Sequence, residues 1–175
     1  MSGNSLQIIF RQPCLEDAKA IHSLIDSSPP LDVNSLYCYL LLCTHFAETS
    51  VVAQANNELC GFISAYVRPD DKETIFVWQV AVKKEWRKKG IAPGMLWSIL
   101  RRAYPFNLRY LETTVNPSNK SSRNLFSSFA ESLNSCLVES VLFSANEFGD
   151  SGHEKEILFR IGPFNIPGKE NYSWK

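Results

Sequence analysis

Neither sign of charge is in surplus in this chain: 18 Lys and Arg stand against 18 Asp and Glu. A nucleic-acid-binding domain ordinarily carries a basic excess, so no nucleic-acid partner is expected and any positive patch must be local. The five cysteines, Cys14, Cys38, Cys43, Cys60 and Cys136, contain no C-x-x-C pair, and their number is odd. That argues against a disulfide framework. With no signal-peptide pattern at the start, they read as reduced thiols of a cytoplasmic protein. The three histidines, His22, His45 and His153, lack zinc-ligand spacing, so no metal is expected. The greasy stretch "LYCYLLLCTHF" falls short of the ~20 residues that cross a bilayer. It reads as a buried helix, and no membrane partner is expected. Two common phosphate-binding signatures are missing as well: no G-K-[ST] Walker ending and no G-x-G-x-x-G. There is no internal repeat, low-complexity segment or linker.

What is present suits one α/β domain. The chain has 175 residues, 45% of them hydrophobic and 21% charged, enough apolar material for a proper core. "LQIIFRQP" reads as a strand ending at Pro13. "CLEDAKAIHSLI" sets Leu15, Ala18, Ile21, Leu24 and Ile25 on one helical stripe, with Glu16 and Asp17 in the first turn. "SSPPLD" breaks that helix, and a second starts near Asp32 or Asn34, either of which suits an N-cap. "SVVAQANNELCGFISAYVR" predicts a hairpin turning at Asn56 and Asn57. "TIFVWQVAV" is apolar on both faces apart from Gln79, as a central strand would be. A helix follows, starting near Pro93, with Ala92, Met95, Leu96, Ile99, Leu100 and Ala103 in step. "LRYLETTV" is a strand, "NPSNKSSRNLFSSFAESL" a helix and "KEILFRIG" a last strand. The order is β α α β β β α β α, then further strand. A domain over 6–164 is expected, with a tail over 165–175 that has no period and is mobile or lies on a partner.

The stretch "WRKKGIAPG", Trp86 to Gly94, stands out. Three basic residues run directly into a helix start, where acidic residues are the usual choice. A strand–turn–helix with glycines can present backbone N–H groups to an anion. Gly90 and Gly94 remove side chains that would block close approach, and Arg87 and Lys89 supply charge-assisted contacts. The same run would also serve as plain solvated surface.

"VAVKKEWRKKGIAPGML" resembles the acyl-CoA motif of the GCN5-related N-acetyltransferases, R/Q-x-x-G-x-G/A, here Arg87, Lys88, Lys89, Gly90, Ile91 and Ala92. The resemblance implies that family's fold, a central mixed β-sheet flanked by helices in a single domain, with acetyl-CoA as co-substrate. It implies that Val80, Ala81 and Val82 pair with the pantetheine arm and that the turn wraps the pyrophosphate. A second family spacing places Asn119, Ser122 and Phe126 at the coenzyme. Two departures are visible: Ala92 and Pro93 replace a glycine and an amide donor, and Phe126 replaces a tyrosine that serves as acid for the leaving thiolate. "PPLDVNSLYCYLLLCTHF", "FVWQVAV", "LETTVNPSN" and "GHEKEILFRIGPF" are similar to the branch of the family that acetylates L-2,4-diaminobutyrate on its 4-amino group in ectoine synthesis. That likeness, from Phe10 to Phe164, also implies a homodimer.

The chemistry selects further candidates. An alkyl ammonium titrates near ~10 and cannot attack a thioester until it loses a proton. The substrate's other amine and its carboxylate must be held so that the right nitrogen reacts. Asp32 is an N-cap on local pattern and, under the resemblance, the partner of a substrate ammonium. Tyr37 and Tyr39 either line the pocket or fill the core. Trp78 either offers its face to an alkyl ammonium or is buried core. Glu112, inside an apolar strand, needs a partner or a role: base or substrate residue, or member of a structural ion pair. Thr113 and Thr114 supply hydroxyls for the substrate or are simply good strand formers. His153 and Glu154 precede the last strand, and a histidine there either relays a proton or is merely exposed. The rivals are a nucleic-acid module using "KKEWRKK", a coenzyme-A-binding domain without catalysis, and an acetyltransferase for another small amine or a lysine side chain.

Overall fold

The computed structural model describes residues 7–103, 106–149 and 152–166. Seven strands form one mixed sheet in the order β1-β2-β3-β4-β5-β7-β6, with four α-helices. The strands are β1 (Ile8–Arg11), β2 (Val51–Ala55), β3 (Glu58–Val67), β4 (Thr74–Val82), β5 (Tyr110–Val115), β6 (Leu137–Phe143) and β7 (Glu156–Ile161). The helices are α1 (Ala18–Asp26), α2 (Leu36–Thr44), α3 (Ile91–Arg102) and α4 (Lys120–Ser132). β4 and β5 run parallel, while β1–β2, β2–β3, β5–β7 and β6–β7 are antiparallel. By compactness the chain divides into two units, Met1–Tyr66 with Gln79–Ala103 and Val67–Trp78 with Tyr104–Lys175.

In the first unit, α1 buries the expected stripe of Ala18, Ile21, Leu24 and Ile25 against Tyr39, Leu42, Val52, Phe62 and Ala81. Each fully buried Ile contributes about 1.5–3 kcal/mol. Leu15 does not join the stripe: it is exposed, and Leu15–Asp17 form a 3-10 turn. Asp17 tightens that turn by accepting from the Cys14 N–H at 2.8 Å and from both terminal nitrogens of Arg11 at 2.6 and 2.8 Å. The hairpin turns where expected, because Asn56 and Asn57 both take positive φ, 50° and 65°, as a two-residue turn of this kind requires. α2 starts later than expected. Its cap is Ser35, whose hydroxyl accepts from the Cys38 N–H, so neither Asp32 nor Asn34 caps it. α3 begins at Ile91, two residues ahead of Pro93, from a left-handed Gly90.

In the second unit, α4 is capped by Asn119 and buries Phe126, Phe129 and Ala130. β6 has no counterpart in the sequence reading, which named one strand after α4. Glu139 and Ser140 interrupt its apolar run, and Val138, Val141, Leu142 and Phe143 are exposed, so its pattern signals no buried face. Among the described residues β6 is one edge of the sheet and β1 the other. The tail expected over 165–175 lies outside the described residues from 167 onward.

Candidate functional site

β4 ends at Val82, and the Lys83 N–H is still held by the Cys60 carbonyl at 2.9 Å. A 3-10 turn, Lys84–Trp86, leads into the basic run. Lys88 takes φ 61° and Gly90 φ 75°, and turns with left-handed residues are how successive N–H groups form an anion-binding concavity. α3 opens with no acidic residue in its first turn, so its own sequence supplies no anion to the orphan N–H groups and positive dipole end. Arg87, Lys88, Lys89 and Gly90 are all exposed. A Cβ at Gly90 would meet nothing within 4 Å, so the space before the helix is open, and its backbone conformation is one that favours glycine.

The basic side chains are not equivalent. Arg87 donates its Nε to the Val82 carbonyl at 3.0 Å, which ties the turn to the end of β4. Lys89 sits over the Trp86 ring, 4.6 Å from its centroid. Gly94 has a different reason from the expected one: a Cβ there would come within 2.5 Å of the Phe10 ring, so its small size serves helix–strand packing. Ile91 is buried, as are Ala81 and Val82, whereas Val80 and Ala92 are half-buried.

Asp32 is exposed, and its carboxylate has no hydrogen-bond partner among the described residues. The N-cap alternative is removed by Ser35. Tyr37 is exposed, whereas Tyr39 is fully buried, its ring edge-on to His22. Gln79, buried on β4, donates its Nε2 to the Asp32 backbone carbonyl at 2.8 Å. The sequence marked Gln79 as the one polar residue in an apolar strand but gave it no task.

In the second unit Trp78 is 45% exposed, so the core alternative fails for it. Glu112 is buried, and both its oxygens are taken. Arg68 Nη1 donates to Oε2 at 2.7 Å, and Arg160 Nη1 donates to Oε1. Glu112 and Arg160 are direct cross-strand neighbours on β5 and β7, a placement that promotes pairing. Of the alternatives for Glu112, this geometry is the ion pair. Arg68 also binds Asp70, Arg160 also reaches Asp71 at 3.4 Å, and the Arg160 guanidinium lies 3.9 Å from the Tyr110 ring centroid. Hydrogen bonds to Asp70 and then Glu112 raise the Arg68 pKa. For Arg160, desolvation opposes the charge but is outweighed by Glu112 and Asp71. The Thr74 hydroxyl, ahead of Arg160, helps lower the Asp71 pKa. Two cations face three carboxylates in this cluster, and sequence reading missed both arginines because they lie 44 and 48 residues from Glu112.

Thr113 is buried and Thr114 half-buried, on opposite faces of β5. Asn119 Oδ1 accepts from the Ser122 N–H at 3.1 Å, so its side chain serves as the α4 cap. Phe126, expected at the coenzyme, is 2% exposed and belongs to the core. Glu154 Oε2 accepts from the Ser118 N–H at 3.1 Å. His153 is half-buried and stacks on Phe148 with ring centroids 4.1 Å apart. Its Nδ1 is 2.7 Å from the Glu154 carbonyl, which can only accept, so Nδ1 carries the proton; Nε2 lies 3.9 Å from Glu156. Among the described residues no group of three His, Cys, Asp or Glu could hold a metal ion, and no helix is long and apolar enough to cross a membrane.

Known proteins resemble this chain in sequence and fold. The family model for the Acetyltransferase (GNAT) family matches residues 16–130. The L-2,4-diaminobutyric acid acetyltransferase of Marinococcus halophilus is 42% identical over 93% of this chain and 94% of that protein. The protein of the same name from Bordetella parapertussis is 43% identical over 94% of this chain and 89% of its own. The diaminobutyrate acetyltransferase EctA from Paenibacillus lautus, solved with its substrate L-2,4-diaminobutyric acid and coenzyme A, superposes with a TM-score of 0.87 at 40% identity. The match covers 94% of this chain and all of that one.

Proposed function

From the premise that this chain belongs to the GNAT acetyltransferase family, we propose that it transfers the acetyl group of acetyl-CoA to the 4-amino group of L-2,4-diaminobutyrate, a step of ectoine synthesis. The observation that carries this reading is the exposed basic turn before α3, open at Gly90 and followed by a helix whose first turn holds no acidic residue. It suits a pyrophosphate, and relatives sharing over two-fifths of the sequence carry diaminobutyrate in their names. Arg87, Lys88, Lys89 and the amides from Gly90 to Ala92 bind the phosphates, and the backbone of Val80, Ala81 and Val82 holds the pantetheine arm.

The neutral 4-amine attacks the thioester carbonyl, and a backbone N–H near Val82 stabilises the oxyanion. The carbon–sulfur bond then breaks, and the thiolate takes a proton while the nitrogen loses one. No covalent enzyme intermediate is needed. The exposed Asp32 carboxylate pairs with a substrate ammonium, with Tyr37 on the helix that follows. The exposed Trp78 ring offers a cation–π face, and the half-buried Thr114 supplies a hydroxyl, whereas the buried Thr113 lies on the opposite face of β5. His153 relays the proton through Nε2, the ring nitrogen other than the one that donates to the Glu154 carbonyl. Glu112, with both oxygens on arginines, has a supporting task rather than that of base. An acetyl-CoA-dependent reaction and five free cysteines suit the cytoplasm, and the product suits a compatible solute in osmoprotection.

A homodimer is the expected assembly, formed through β6. An exposed apolar edge strand invites pairing. Antiparallel pairing with a second copy about Ser140 would set Val138 against Leu142 and Leu137 against Phe143. A thiol-release assay run in parallel with 2,4-diaminobutyrate, ornithine, lysine and spermidine tests the substrate. Turnover that favours diaminobutyrate supports the proposal. Preference for ornithine, lysine or spermidine makes this an acetyltransferase for another amine, and no turnover leaves a binding domain.

A further inference from the structure

Gln79 stands alone as a buried polar side chain in the stretch of β4 that runs into the coenzyme-binding backbone. Its amide is engaged at both ends. Nε2 donates to the Asp32 carbonyl at 2.8 Å, and Oε1 accepts from the Tyr39 hydroxyl in a longer contact of 3.5 Å. The Tyr39 oxygen in turn accepts from the Asn34 N–H at 3.3 Å. Both sides of Val33 are therefore tied to one buried amide, from the carbonyl of Asp32 and from the N–H of Asn34. Tyr39 is fixed by burial and by the edge-on His22 ring, 5.6 Å away. The Gln79 N–H goes to the Ser64 hydroxyl at 3.2 Å, so main chain and side chain of this residue are both anchored.

An apolar residue would fill the same space in a central strand. A buried amide is retained only where each end has a partner, because an unsatisfied one is costly. The segment it holds contains no helix cap of its own, since Ser35 caps α2. Its conformation depends on what Gln79 and Tyr39 supply.

We infer that Gln79, with Tyr39, is a positioning residue that locks the Asp32 segment to the coenzyme strand and thereby fixes which amine of the substrate is presented. This rests on the reading of Asp32 as the partner of a substrate ammonium. Gln79 does not touch the reacting atoms; it acts through the Asp32 backbone. A carboxylate on a loosened segment still attracts an ammonium but no longer fixes its distance, and small misplacements erode selectivity between two similar nitrogens.

The test is a double-mutant cycle on the full chain with Gln79→Met and Asp32→Asn, reading KM for each substrate and the acetylated nitrogen. Gln79→Met is expected to raise KM for diaminobutyrate about 10-fold. It is expected to leave KM for acetyl-CoA within about 2-fold and to let part of the acetyl group reach the 2-amino nitrogen. In the Asp32→Asn background the same change should add less than about 3-fold. Should Gln79→Met not fold, Tyr39→Phe, which deletes only the hydroxyl, is expected to give the same pattern at about 2- to 5-fold. A parallel rise in both KM values, full additivity with Asp32→Asn, or unchanged product selectivity would overturn the inference. An Asp32→Asn variant with wild-type KM overturns the reading of Asp32 itself, whatever Gln79→Met does.

Discussion

Replacing Glu112 with glutamine removes one charge and little volume from the centre of β5. The carboxylate side chain is 3% exposed, and each oxygen accepts from a guanidinium. Hydrogen bonds to charged groups contribute about 1.5–3 kcal/mol each. The amide keeps one acceptor and turns its NH2 toward the other arginine, so one bond is lost and one weakened. Breaking a fully buried pair costs about 3–5 kcal/mol. Here Arg68 and Arg160 are 31% and 34% exposed, so water and the neighbouring Asp70 and Asp71 recover part of the loss. The expected destabilisation is about 2–3 kcal/mol. For a chain of this size that lowers Tm by about 4–12 °C. Thermal melts by circular dichroism give Tm, and thiol release at 25 °C gives kcat on the folded protein. Tm should fall while kcat stays within about 3-fold. A kcat loss of about 10²–10⁴-fold, the range of acid–base help, with unchanged Tm would show that Glu112 is the base after all.

Arg87→Ala should raise KM for acetyl-CoA by about 10-fold, through a charge-assisted bond to phosphate, and leave KM for diaminobutyrate alone; unchanged KM for acetyl-CoA would confine phosphate binding to the amides and lysines. His153→Ala should lower kcat by at most about 10²–10⁴-fold, whereas an unchanged kcat would leave water as the proton carrier. Phe126→Tyr should not speed turnover, because burying its hydroxyl in the core costs about 1–3 kcal/mol, to be read as a lower Tm. The Asp17 carboxyl, though desolvated, is held below its ordinary range by Arg11 and Cys14; its contribution is present above the unfolded value near ~3.9 and is lost as pH falls through the lower folded value, so Asp17→Asn should reduce the acid-side slope of stability. Val141→Glu should shift a dimer toward monomer in light scattering.

Where one face of an element meets the core, its residues announced it. The stripe of α1, the Asn-Asn hairpin and the β-branched run of β4 are all readable, because burial writes a period into the sequence. β6 was not readable: a strand exposed along nearly its whole length has no such period. The start of α2 was misplaced because three residues before Leu36 suit a cap, and the one that caps is Ser35, while the Asp32 carbonyl and the Asn34 N–H are engaged by the distant Gln79 and by Tyr39. The exposed basic turn before α3 was legible as a turn from local chemistry, and the coenzyme task proposed for it comes from family spacing. The tasks of Gly94, Asn119 and Phe126 were not, since a glycine packed on Phe10, a helix cap and a core ring carry the same letters as ligand contacts. Glu112 was visible as an anomaly, but its arginines are distant in sequence.

The central claim is a reaction at one nitrogen of one diamine, and mapping the product tests it most directly. Diaminobutyrate is incubated with acetyl-CoA labelled with carbon-13 in the acetyl group, and the amide carbon is correlated to the substrate chain by NMR. Correlation to the 4-methylene protons is expected, with one free thiol released per acetyl group transferred. Correlation to the 2-methine proton, or thiol release without any acetylated diaminobutyrate, would contradict it.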